Sequence, residues 1–192
     1  MKILLYPSLK KDGNLAELIG IILGDGNLYE HLRTENLRIT CDSNDVGYIQ
    51  HIARRIKKAF YKQPSIRKRK NINAASIDLY QCKISERLDL PCGNKIRNNV
   101  GIPSWIFLDK KHILKCLKGL FETDGCFYEE RDNHTRCIEF KNNCKRLRED
   151  VFNSLTTLGF KPQFGRNYIR LAKKGEVYRF KKAIDFRNYI AL

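Results

Sequence analysis

Residues 18–26 read LIGIILGDG and residues 117–125 read LKGLFETDG. In both stretches an apolar run carries small residues four apart, Gly20 and Gly24 in one and Gly119 and Thr123 in the other, and ends on Asp-Gly. Small residues at i and i+4 share one helical face and allow a second backbone to approach closely, so two such helices can pack side by side. The glycine after the acid permits a positive φ and ends the helix there. A helix C-terminus already carries partial negative charge, so an aspartate placed on it needs a cation nearby. Two such helices packed in parallel bring Asp25 and Asp124 together, and the pair asks for a divalent metal.

The repeat reaches well beyond these nine residues. The offset 124 − 25 = 99 holds without a gap for some fifty positions: Tyr29 matches Tyr128, Glu30 matches Glu129, Ile39 matches Ile138, Ile52 matches Val151 and Ile56 matches Leu155. A constant offset through several elements points to duplication with pseudo-two-fold symmetry.

With 192 residues the chain can bury a real core, as one domain or two small fused ones. Lys and Arg number 37 against 21 acids, for a net charge of +16. That excess points to a polyanion, nucleic acid first and an acidic membrane surface second. No run of about 18 apolar residues is present, so nothing is expected to span a bilayer. MKILLYPSLKK is too short and too soon interrupted by Pro7 and Lys10 for a secretion signal. An intracellular location is expected, in cytoplasm or nucleoid, or in an organelle of a eukaryotic host. The seven cysteines are odd in number and lack CxxC or zinc-like spacing; they read as reduced thiols, mostly in the core, with Cys126 packed rather than nucleophilic.

In order along the chain, residues 1–14 read as a leader, with Asn14 capping a helix from Leu15 to Asp25. NLYEHLR and LRITCD read as strands. Ser43 or Asn44 caps a helix marked by Ile49, Ile52, Ala53, Ile56, Ala59 and Phe60. PSIRKRKNIN and ASIDLYQCKI form a second hairpin, and Ser85 to Leu90 a short helix that closes a first repeat at residues 15–90. Residues 91–112, rich in Pro, Gly and Asn, read as a connector anchored on the core by Trp105. Residues 113–192 form the second repeat, closing with a helix from Lys181 to Leu192.

The two motifs resemble those of the LAGLIDADG homing endonucleases, and the layout is similar to that of the single-chain, two-motif members over nearly the whole chain. GNK…IPSWI also resembles the segment that precedes the second motif in intron- and intein-associated members. The resemblance implies an α+β fold of two pseudo-symmetric αββαββα repeats, whose antiparallel sheets form a saddle over DNA with the paired motif helices as the seam. It further implies a monomeric, site-specific endonuclease that hydrolyses one bond on each strand of a long asymmetric double-stranded target. The other reading is a non-cleaving nucleic-acid binder, such as a maturase that holds intron RNA.

By the same resemblance Asp25 and Asp124 are catalytic metal ligands, one for each strand, and the backbone carbonyls of Gly24 and Thr123 complete the protein ligation. Oxygen-only ligation suits Mg2+, with Mn2+ able to substitute. Family members place a basic or amide side chain beside each metal, just after the second strand. Lys141 holds that place in the second repeat, where it is a catalytic residue or a solvated charge. The equivalent position 141 − 99 = 42 is Asp42, an extra ligand, a surface acid at a helix start, or a sign that one strand is cut slowly.

Base reading falls to the strands. Alternation puts Asn27, Tyr29, His31 and Arg33 on one face of the first strand, with Arg38 and Thr40 sharing it on the second. Arg67 and Arg69 extend this DNA-binding surface, as Arg166 and Arg170 do in the other half. Arginine favours guanine and asparagine adenine, whereas lysines such as Lys57 and Lys58 mainly meet phosphate. His31 and His134 are given no catalytic role.

Overall fold

A computed structural model describes residues 6–130 and 135–187. His134, the first five residues of the leader and the last five of the closing helix lie outside the described residues. The first repeat runs α1 (Gly13–Gly24), β1 (Gly26–Glu30), β2 (Glu35–Cys41), α2 (Val46–Phe60), β3 (Ser65–Lys68), β4 (Ala75–Gln81) and α3 (Ile84–Leu88). The second runs α4 (Lys110–Thr123), β5 (Gly125–Glu130), β6 (Thr135–Lys141), α5 (Lys145–Thr157), β7 (Gln163–Phe164), β8 (Tyr168–Leu171) and α6 (Lys174–Ala183). Each repeat is thus αββαββα, with an antiparallel sheet ordered β1-β2-β4-β3 in one and β5-β6-β8-β7 in the other.

The seam between the halves is α1 against α4. Every residue of α1 from Asn14 to Leu23 is buried, as expected of a helix that is apolar all round. A Cβ on Gly20 would overlap the Cys116 carbonyl, one on Gly119 would overlap the Glu17 carbonyl, and one on Gly24 would overlap the Thr123 hydroxyl. Position 20 therefore meets 116 and 120 while position 24 meets 123, so the two helices advance together, run parallel and end side by side. Thr123 turns its hydroxyl back onto the Gly119 and Leu120 carbonyls, at 3.0 and 2.9 Å, which keeps that end narrow.

Several boundaries differ from the sequence expectation. The α1 cap is Asp12, whose carboxylate accepts the Leu15 N–H at 3.0 Å, and Asn14 lies inside the first turn and bonds to Arg55 instead. The α2 cap is Asp45, which accepts from Tyr48 N at 3.0 Å, rather than Ser43 or Asn44. The closing helix starts at Lys174, not Lys181, because Val177, Phe180 and Ile184 form the buried stripe. Only Cys116, Cys137 and Cys144 are buried, and Cys126 is exposed on β5, so the core holds fewer thiols than expected. All seven are free. Trp105 is buried as expected, in a 3-10 turn at Ser104–Leu108.

The connector is stitched to both repeats. The Gly93 N–H donates to the Leu28 carbonyl at 2.8 Å in the first half. In the second, Ile102 N–H donates to Asp150 at 2.8 Å and the Cys144 thiol donates to the Val100 carbonyl at 3.1 Å.

Candidate nuclease site

Asp25 and Asp124 are the C-cap residues of α1 and α4, and because the seam is parallel both fall at the same end of it. They line one open cleft of about 620 Å³, walled by Asn27, Tyr29 and Thr40 from the first sheet and Lys141 and Asn142 from the end of β6. Burial, and then the charge of Asp124, push the Asp25 carboxyl up to about 6 against the pull of Lys95. Asp124 is also raised by burial, but it accepts a 2.8 Å hydrogen bond from the Asn142 amide and is drawn down by Lys95.

Lys95, from the connector, is the cation set on the helix ends in this cleft. Its ammonium donates to the Leu23 carbonyl at 2.8 Å and to the Gly24 carbonyl, at the open C-terminal end of α1. Burial pushes it down to about 8, against the opposing effect of the two aspartates. The sequence reading assigned no role to Lys95, although it lies in the GNK segment that carried part of the resemblance. A lysine in a Gly/Asn-rich connector looks like any solvated charge until the connector is seen folded across the helix ends. Asn142 was also missed, one residue beyond Lys141.

Among the described residues no group of three or more His, Cys, Asp or Glu side chains could hold a metal ion. What the cleft offers is two carboxylates and the Gly24 backbone carbonyl, which also accepts from Lys95. That set is all hard oxygen, and it carries an acid held protonated to an unusual pH by burial and then by its neighbour's charge. Both features fit a magnesium-type ion, whose entry would relieve the repulsion.

Lys141 is largely exposed and pairs at 3.1 Å with Glu139, while its backbone N–H donates to the Asp124 carbonyl at 3.2 Å. It lines the cleft with its ammonium engaged on the strand face. Of the three roles open to Asp42, the geometry matches the surface acid: it is exposed and accepts the Asn44 N–H at 2.8 Å in the turn before α2.

On the first sheet Asn27 pairs with Arg38 and Tyr29 with Asn36, so Asn27, Tyr29, Arg38 and Thr40 share the outer face while Leu28, Leu37 and Ile39 face the core. His31 and Arg33 do not continue that strand; β1 ends at Glu30 and both sit in the turn, with His31 stacked on Tyr80. Arg67 reaches the same outer face from β3, and Arg69 follows β3 with its Nε 3.3 Å from the Ser76 hydroxyl. At the centre of this face is Asp78, buried and clamped by Arg38 at 2.7 Å, Arg67 at 3.0 Å and Asn36 at 3.1 Å. Burial would raise its carboxyl, but the three hydrogen bonds outweigh burial and hold it below the usual range. Two of the arginines assigned to bases therefore carry a fixed acid between them. In the second half Arg170 lies half-buried on β8, 3.1 Å from the Cys137 sulfur, and Arg166 is exposed in the β7–β8 turn.

These features define a single-chain protein with two LAGLIDADG repeats. Residues 16–121 match the model of the LAGLIDADG DNA endonuclease family, and residues 111–190 match that of a LAGLIDADG-like domain. The chain belongs to the LAGLIDADG DNA endonuclease family. Its fold is similar to that of mesophilic variants of the homing endonuclease I-DmoI, at 20% identity and a TM-score of 0.63, covering 90% of this chain and 94% of that one. It is also similar to I-DmoI in complex with DNA and Mn, at 20% identity and a TM-score of 0.60, covering 90% and 96%. The N-terminal LAGLIDADG domain of DUF199/WhiA matches at 16% identity and a TM-score of 0.64, covering 97% and 88%. No curated protein sequence matches the chain.

Proposed function

We propose that the chain is a monomeric homing endonuclease that hydrolyses one phosphodiester bond on each strand of a long, asymmetric double-stranded DNA site. The observation that carries this reading is the pair of aspartates at the joined ends of α1 and α4, in a cleft reached by both sheets and holding a lysine. Asp25 and Asp124, with the Thr123 carbonyl and that of Gly24 on the side that Lys95 leaves open, would hold Mg2+ or Mn2+. Such an ion supplies an activated water and neutralises charge at the phosphorus.

The protein's own contribution is positional and electrostatic. Asp25 and Asp124 orient the attacking water on either side of the seam axis. Lys95, fixed on the end of α1, offsets the carboxylate charge that would otherwise repel a phosphate and stabilises charge developing on its oxygens. Asn142 holds the Asp124 carboxylate in one rotamer, and Lys141 adds a cation at the rim. The outer sheet faces bind the duplex, with Asn27, Arg38 and Arg67 reading base edges and the exposed lysines meeting phosphates.

The test is cleavage of a randomised double-stranded DNA library in magnesium by the natural chain, Asp25→Asn and Asp124→Asn. The natural chain is expected to break both strands at a defined sequence, and each variant to lose cutting or to cut one strand only. A natural chain that binds DNA yet cuts nothing in magnesium or manganese would overturn the enzyme reading in favour of a nucleic-acid binder.

A further inference from the structure

The opposite end of the seam holds a second charged site, which the cleavage reading does not use. Asn14 lies eleven residues up α1 from Asp25, roughly 16 Å along the helix. Beside it a cavity of about 280 Å³ opens between α1, α2, α4 and the segment after α6. Arg54, Arg55, Lys58, Lys115 and Lys118 contribute five cations to its wall, and Asp185 one carboxylate.

The site is built rather than a loose patch of surface lysines. Glu17 is fully buried behind the wall and fixes three of its groups: His51 at 2.5 Å, Arg55 at 3.1 Å and Lys115 at 3.8 Å. Arg55 is held a second time by the Asn14 side chain at 3.2 Å. Lys118 is buried, with Glu122 at 3.5 Å and Asp185 at 3.4 Å. Arg55 and Lys115 share the single buried carboxylate of Glu17, and Lys58 stands on the same wall. Two of the cations are guanidinium groups, whose planar forks match tetrahedral oxyanions.

We propose that this cavity binds a phosphate group, either free or as the terminal monoester of a nucleic-acid strand. A phosphate there would accept from the guanidinium of Arg55 and draw the exposed ammonium group of Lys58 and the half-buried one of Lys115 inward.

The test follows the His51 ring by NMR in the full-length chain while inorganic phosphate replaces chloride at constant ionic strength. A trinucleotide with a 5′-phosphate and the same trinucleotide with a 5′-hydroxyl form the other two arms. The expected result is a saturable shift of the His51 signals in phosphate, weakened about tenfold in Lys58→Gln and in Lys115→Gln. Thermal melts in chloride check that both variants are folded. Tighter binding of the phosphorylated trinucleotide than of free phosphate identifies a strand end as the source, and the reverse order identifies free phosphate. No saturable shift in the natural chain, or a shift that persists unchanged in both folded variants, overturns the proposal. None of these readouts depends on DNA cleavage.

Discussion

Asp25 releases its proton near 3.8 in an unfolded chain and at about 6 in the folded one. Between those values the folded state binds more protons, so the stability of the metal-free protein should fall as pH rises through that window. Lys95 acts in the other direction. Its folded value of about 8 lies below the ordinary 10.5, so the unfolded chain binds more protons between them and stability should rise with pH there. At pH 7 in a chelator, Asp25→Asn should therefore stabilise the protein, by about 1 kcal/mol after discounting for solvent screening, or roughly 2–4 °C in melting temperature. Magnesium should raise the melting temperature of the natural chain more than that of the variant. An Asp25→Asn protein that melts at or below the natural chain would contradict the crowding of the two acids. Lys95→Met should lower cleavage by about a hundredfold while DNA affinity measured in calcium changes little. The acids were legible in the sequence because their spacing repeats, whereas nothing local distinguishes Lys95 or Asp78. Their roles come from tertiary neighbours brought in from the helix ends and from strands some forty residues away.

At the level of elements, the seam depends on backbone contact at Gly20 and Gly119. Gly20→Ala or Gly119→Ala would push a methyl into a carbonyl of the facing helix, and each should destabilise the fold by about 1–3 kcal/mol, measurable by urea denaturation. Either change would also part the helix ends and weaken cleavage more than DNA binding. The periodicities placed the central helices and strands because burial selects one face of each. Ends were less legible. Asp12 and Asn14 are both good caps on chemistry alone, and Arg55, on a helix some forty residues later, is what holds Asn14 elsewhere. β1 stops at Glu30 because the turn begins there, with His31 N–H bonded to the Thr34 carbonyl at 2.8 Å, so alternation could not carry His31 and Arg33 onto the sheet. Cys126 follows the same parity as Asn27, 126 − 99 = 27, and its exposure was thus implicit in the repeat.

For the molecule as a whole, the internal symmetry is incomplete where chemistry would occur. Asp124 has Asn142 and Lys141 beside it, while the equivalent positions near Asp25 are Ser43 and the turn acid Asp42. If each repeat governs one strand, the strands should be cut at different rates, and a plasmid bearing the target should accumulate as nicked circle before it becomes linear. Equal rates on both strands would show that the halves share one chemical step. Binding should also be steeply salt-sensitive: with six or more phosphates neutralised, affinity should fall with a log–log slope of about −5 or steeper. The connector has one more effect. Because it joins the two repeats covalently and is pinned to both, the halves meet at an effective concentration that dilution cannot lower. A pair of separate chains would fall apart at a few copies per cell, whereas this one should cut with a specific activity that is constant down to the lowest protein concentration assayed. A single protease nick between residues 96 and 99 would cut the chain between Lys95 and the second repeat and would make activity depend on concentration for the first time.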